Sequence, residues 1–194
     1  MSEGRVDRRQ HPGLLGEEVQ ILVVLDSCTD RSAAIAETFG VHSLSVEARN
    51  VGQVRGMGAR HLLNNGARWI SCTDADSRVA TDWLVAQLAL GVDAVCGTVT
   101  VDAWSDGFDQ AAQIRYHQSY QACDGHRHIH GANLGVSAGA YVRAAGSSPC
   151  PVMKMCNWYA SWSVAAQPLP GATRPRSLPV RAWSAVRKAD LATI

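Results

Sequence analysis

Ala67-Arg68-Trp69-Ile70-Ser71-Cys72, followed at once by Thr73-Asp74-Ala75-Asp76-Ser77, sets a short apolar run against two carboxylates one residue apart. The run reads as a short buried strand that ends in turn formers. At the exposed carboxyl end of such a strand, two hard oxygen ligands can hold Mg2+ or Mn2+ against a diphosphate, leaving positions open for water and phosphate oxygens. A structural metal site would need more protein ligands than one Asp-x-Asp supplies. The same tripeptide also serves as an ordinary solvated turn, so its surroundings decide.

Upstream, the apolar run Val19-Gln20-Ile21-Leu22-Val23-Val24-Leu25 ends in the polar stretch Asp26-Ser27-Cys28-Thr29-Asp30-Arg31-Ser32. The chain then opens into a helical segment over 33–39, with Asp30 or Ser32 as its N-cap and Gly40 as its stop. Val41 to Val46 reads as a second strand, and Asn50-Val51-Gly52-Gln53-Val54-Arg55 leads into a helix ending near Asn64. Strands alternating with helices at this spacing imply an α/β fold with a mostly parallel sheet, which binds ligands beyond the carboxyl ends of its strands. Asp26 and the Asp74/Asp76 pair both fall at such ends, so the expectation is that they face one ligand.

In order along the chain, the segments Val24 to Ser32, Ala48-Arg49-Asn50-Val51-Gly52 with Arg55, Thr73 to Ser77, Val95-Cys96-Gly97-Thr98-Val99, and Gly131-Ala132-Asn133-Leu134-Gly135-Val136 through Tyr141 to Gly146 resemble family 2 glycosyltransferases of the GT-A fold. The resemblance covers roughly residues 19 to 146. It implies an inverting, metal-dependent transfer from a nucleotide-sugar donor, with Asp26 reading the nucleobase, Asp74 and Asp76 on the metal and diphosphate, and Arg55 near the phosphates. Expelling a nucleoside diphosphate from an anomeric carbon builds charge on the leaving oxygens, which a cation and a guanidinium fork both stabilise. Without the resemblance, Asp26 is also a plain helix-capping carboxylate and Arg55 a solvated helix residue.

The acceptor half has fewer markers. Gly131-Ala132-Asn133 resembles the family segment that floors the acceptor pocket, so Gly131 and Asn133 enter as substrate-binding residues; glycine there lets backbone approach a ligand, and the plain alternative is a glycine-rich turn. His126, His128 and His130 alternate, which on a strand puts all three on one face. Without a Cys or carboxylate at ligand spacing, a polar strand edge is favoured over a zinc module.

The chain departs from the family pattern at both ends. Its opening, Met1-Ser2-Glu3-Gly4-Arg5-Val6-Asp7-Arg8-Arg9-Gln10, is charged and lacks a β pattern where the family carries an apolar first strand and a Pro-x-x-Asn-Glu-like turn. That strand is normally central, so its absence exposes strand edges. After Gly146 the family has Gly-Phe and then a Glu-Asp pair whose Asp is the general base. Here Ser147 to Trp158 holds no acid, and the next acid is Asp190. Residues 1–146 carry 12 Arg, no Lys and 16 acids, a net −4, whereas residues 147–194 carry 6 basic residues and 1 acid, a net +5. Read from the third base of each codon, Met153-Lys154-Met155-Cys156-Asn157-Trp158 gives Glu, then Asp or Asn, then Val, allows Gln and gives Leu, the absent motif one frame away. A frameshift accounts for both changes; the alternative is a genuine basic, Trp-containing extension that touches a membrane surface or a partner.

At 194 residues and 46% hydrophobic, the chain can bury one sizeable core. Its net charge of +1 gives no reason to invoke nucleic acid. Six Cys without paired spacing point to reduced thiols, and no signal peptide or long apolar run is present, so the expected location is cytoplasmic. The sequence thus leads to a GT-A-like, Rossmann-related α/β fold incomplete at both ends. Residues 1–18 are expected to be disordered, 19–146 to bind the nucleotide sugar, and 147–194 to be an out-of-frame basic tail. The acceptor is a sugar, lipid or small molecule, and the competing expectation is a catalytically inactive remnant with weak or no nucleotide binding.

Overall fold

The structure is a computed structural model, in which residues 11–104, 109–120, 122–123, 126, 129, 131–145 and 176–186 are described, the last by backbone course. The chain divides into two compact units, Met1–Ala67 and Arg68–Ile194.

In the first unit, Pro12–Leu14 form a turn of 3-10 helix, capped where His11 Nδ1 accepts the Gly13 N–H at 3.0 Å. Strand β1 (Leu22–Asp26) pairs in parallel with β2 (His42–Val46), in register from Leu22↔His42 to Asp26↔Val46. Helix α1 (Ser32–Thr38) connects them and stops at Gly40, whose φ of 59° is open to glycine at no steric cost. The N-cap is Arg31, which makes no side-chain cap bond, and not the expected Asp30 or Ser32; Asp30 Oδ1 accepts the Ser32 N–H at 2.9 Å from just outside the helix. Helix α2 (Val51–Asn64) runs back along the strand pair. Gly58 lets it close on β1, since a Cβ there would lie 2.9 Å from Val24 Cγ2.

The second unit holds β3 (Trp69–Cys72), β4 (Ser77–Val79), α3 (Trp83–Ala89), β5 (Ala94–Trp104), α4 (Gln110–Ser119), β6 (Leu134–Ser137), α5 (Ala138–Ala145) and β7 (Arg176–Val186). Its sheet has the order β3-β6-β5-β7-β4. Of the mostly parallel pairing expected, β1–β2 and β5–β7 are parallel, whereas β3–β6, β5–β6 and β4–β7 are antiparallel.

Strand β7 comes from the segment read as an atypical tail. Its register against β5 jumps from Gly97↔Leu178 to Thr98↔Arg181, which leaves Pro179 and Val180 in a bulge. Proline has no N–H for a ladder, so a bulge is where a strand tolerates it. Among the described residues β1 pairs only with β2 and β3 only with β6.

The core of this unit is built around Trp83 and Val95, 6% and 0% exposed, with Trp69, Val79, Leu84, Leu90 and Val92 packed on them. Helix α4 buries no residue and is held instead by aromatic contacts. Tyr116 meets Trp104 edge-on at 5.3 Å between ring centres, and the Tyr120 hydroxyl accepts the Val99 N–H at 2.8 Å.

Candidate functional site

Asp26 ends β1, and its carboxylate is occupied by the protein itself. Oδ1 accepts the backbone N–H of Ala48 at 2.8 Å and of Arg49 at 2.9 Å, together with the Ser27 hydroxyl at 3.2 Å; Oδ2 accepts the Asn50 N–H at 3.1 Å. Four donors match the roughly four lone-pair positions of a carboxylate. The Arg49 N–H foremost, with those of Ala48 and Asn50 and the Ser27 hydroxyl, holds the Asp26 carboxyl below the usual aspartate range against a partial desolvation that pushes the other way. Asn50 in turn caps α2, its Oδ1 accepting the N–H groups of Gly52 and Gln53, each at 3.1 Å.

Two residues beside Asp26 have left-handed backbone, Ser27 at φ 53° and Arg49 at φ 47°. Neither is glycine, so each costs about 1 kcal/mol and persists because neighbouring bonds fix it. The Ser27 N–H, donated to Val46 O at 2.8 Å, continues the β1–β2 ladder one step beyond the strands. A cavity of about 280 Å3 opens at these strand ends, lined by Ser27, Cys28, Ala33, Ser45 and Glu47 with Leu25 and Val46 beneath. Arg55 lies in the second turn of α2 and is partly exposed.

Asp74 and Asp76 occupy the turn that leaves the carboxyl end of β3, as expected; Asp74 is half-buried and Asp76 exposed. The Ser77 N–H closes that turn on Asp74 O at 3.1 Å. Because β6 runs antiparallel to β3 with Cys72 opposite Leu134, the Gly131-Ala132-Asn133 segment enters β6 at the same end from which the Asp74/Asp76 turn departs. The sheet thus brings together the two stretches assigned to donor and acceptor. Asp26 and Arg55 belong to the first unit, the other four residues to the second.

Gly131 is half-exposed, whereas Asn133 is wholly buried. Its Oδ1 accepts the Trp83 indole N–H at 2.8 Å and the Gln87 amide at 3.4 Å, and its Nδ2 donates to Thr98 O at 2.9 Å. Gln87 Oε1 accepts the Ser71 hydroxyl at 2.6 Å and the Trp69 indole at 3.2 Å. The Asn133 side chain therefore works inward, fixing the segment from behind. Gly97 and Gly135 leave room for this network, since a Cβ at either would collide with the amide of Asn133 or Gln87. His126 is buried and 6% exposed; His128 and His130 lie outside the described residues, as do Ser147 to Trp158 and Asp190. Among the described residues no group of three or more His, Cys, Asp or Glu is arranged for a metal ion, and no helix is long and apolar enough to cross a membrane.

A family description, glycosyl transferase family 2, matches residues 8–141, more than half of the chain. The chain belongs to glycosyl transferase family 2. Among solved structures, it is similar to the mannosyltransferase PcManGT from Pyrobaculum calidifontis, solved in complex with GDP-Man and Mn2+, at TM-score 0.53 and 18% identity over 87% of this chain. It spans about half of that enzyme, 48% of its length. It is also similar to A197 from STIV, at TM-score 0.51 and 10% identity, covering 87% of both chains. At these identities the likeness concerns the fold, which is that of a GT-A glycosyltransferase. No curated protein matches the chain.

Sequence reading missed the burial of Asn133, the left-handed Ser27 and Arg49, and the lining role of Glu47. The first had a signal: Asn133 sits immediately before the apolar–glycine alternation of β6, where an amide flanked by buried positions must find partners inside.

Proposed function

We propose that this family 2 chain binds a nucleotide-sugar donor at a site of the kind that serves inverting sugar transfer, with Asp74 and Asp76 as the ligands of Mg2+ or Mn2+. The observation that carries the proposal is the β3–β6 ladder end, where the carboxylate turn and the Gly131–Asn133 segment emerge side by side. Two carboxylates suffice for a cation that takes its other ligands from water and diphosphate. Such an ion, when bound, neutralises charge on a departing diphosphate. The chain's own groups do the rest. The Asp74/Asp76 turn orients the diphosphate, and Arg55 of the first unit offers a planar guanidinium suited to phosphate oxygens. Gly131 offers backbone approach to the acceptor, with Asn133 holding the segment in place.

Deprotonation of the acceptor is the missing part. A positioned general base contributes about 10²–10⁴-fold in rate, and residues 147–194 hold Asp190 as their one acid. The 194-residue chain therefore binds donor and transfers sugar negligibly, leaving at most slow donor hydrolysis. Titration of UDP or GDP into the chain with and without Mn2+ tests the binding half: binding should require the metal, and Asp76→Ala should abolish the metal-dependent binding. Metal-independent binding unchanged in Asp76→Ala would overturn the assignment. Robust transfer from a panel of nucleotide sugars would show that another group serves as base.

A further inference from the structure

The first unit has a second cavity, at the end of β1 and β2 away from Asp26. It measures about 320 Å3 and is lined by Gln20, Leu22, His42, His61, Leu62 and Asn65. Two imidazoles meet there for reasons of local geometry. His42 stands opposite Leu22 in the first rung of the β1–β2 ladder, so the two side chains share one face of the strand pair. Helix α2 lies on that face, since a Cβ at Gly58 would come within 3.8 Å of Leu22 Cδ2. His61 and Leu62 follow Gly58 at helical neighbour spacing and continue its face into the last turn.

The polar side chains around this cavity have lone pairs to offer. Gln20 Nε2 donates to Glu18 Oε1 at 3.0 Å and Asn65 Nδ2 to His61 O at 3.0 Å, which leaves the oxygen of each amide for a further partner. A neutral imidazole adds one lone-pair nitrogen. No Lys or Arg lines the cavity, and the partial negative charge at the carboxyl end of α2 favours a cation there over an anion. We infer that His42 and His61 bind a divalent transition ion of the Zn2+ class, with the amide oxygens of Gln20 and Asn65 and water completing its shell.

The donor types set the metal. Imidazole suits Zn2+, Cu2+ and Ni2+, whereas Mg2+ and Mn2+ prefer carboxylate and water. The site is thus chemically distinct from the Asp74/Asp76 pair, and it stands whether or not that pair holds a cation. Two imidazoles with two amides make it open and exchangeable, unlike a closed structural zinc site of four Cys or His. A bound ion ties the first residue of β2 to the last turn of α2, and because the unfolded chain does not hold these groups together, binding stabilises the fold.

The test is acylation of histidines by diethyl pyrocarbonate in the full chain, with and without Zn2+, followed by peptide mapping. Zn2+ should protect His42 and His61 together and leave the exposed His117 reactive, while Mg2+ at the same concentration protects neither. Calorimetric titration with Zn2+ then gives the affinity. His42 and His61 are exposed, so truncation spares the fold, and His42→Ala or His61→Ala should each weaken the site by at least the roughly 10–100-fold that loss of an outer-shell partner costs. Zn2+ should raise the melting temperature of the unaltered chain more than that of the double variant. Unchanged reactivity of His42 and His61 in Zn2+, protection of one without the other, protection by Mg2+ as strong as by Zn2+, or Zn2+ titrations that coincide for the unaltered chain and the double variant would each overturn the inference.

Discussion

Asp26 accepts the backbone N–H of Arg49 at 2.9 Å across 23 residues of chain, tying the last residue of β1 to the left-handed residue that precedes the cap of α2. The bond is charge-assisted, and so are its companions to Ala48 and Asn50. Because the folded carboxyl titrates lower than an ordinary aspartate, its contribution to stability is complete above the usual aspartate range and is lost as pH falls below about 4. The difference in melting temperature between the unaltered chain and Asp26→Asn should therefore be largest at neutral pH and shrink on acidification toward pH 2.5. A difference that stays constant with pH would mean that the charge on Asp26 is not what holds the loop.

Two glycines should respond to alanine with opposite sign. Gly97→Ala drives a methyl into the buried Asn133 amide and should cost about 1–3 kcal/mol, read as a lower urea midpoint. Gly56 lies inside α2 with nothing within 4 Å of where a Cβ would stand, so Gly56→Ala should gain up to about 1 kcal/mol from helix propensity. Equal effects at the two sites would contradict the packing described for β5.

Asn133→Ala should cost about 1–3 kcal/mol for each group it leaves unsatisfied, the Trp83 indole N–H foremost. Combined with Trp83→Phe, which removes that donor, the two losses should fall short of additivity by about 0.5–3 kcal/mol. Strict additivity in urea unfolding would show that the pair does not interact.

The thiols should separate by exposure. Burial pushes Cys96 up to about 11, so it holds almost no thiolate at neutral pH, whereas Cys28 and Cys123 are exposed. Brief alkylation of the folded chain followed by peptide mapping should label Cys28 and Cys123 and spare Cys96 until denaturant is added. Early labelling of Cys96 would place it nearer the surface than β5 allows.

Much of this architecture could be read from residue patterns. The alternation of apolar runs with helical segments located β1, α1, β2, α2 and β3 to within a few residues, and α2 ends at Asn64 as its spacing implied. The turn after β3 was visible because Asp is a turn former and a hard ligand at once. What the pattern could not convey was direction. Whether a carboxylate such as Asp26 faces a ligand or its own backbone depends on where a loop 22 to 24 residues away returns, which is a tertiary matter. The burial of Asn133 was hidden for the same reason, since an amide near a glycine looks identical in sequence whether it points to solvent or into a core. Strand β7 was hidden by Pro179, which argues against a strand unless a bulge accommodates it.

The buried amide network also bears on how such a sequence can change over generations. Trp69, Gln87 and Asn133 share donors and acceptors, and Gly97 and Gly135 provide the space those amides occupy. A single replacement at any of the five leaves either a collision or an unmatched polar group, so drift there is blocked one step at a time. Related sequences should vary at these five positions together or not at all, and a relative with alanine in place of Gly97 should carry a smaller residue in place of Asn133.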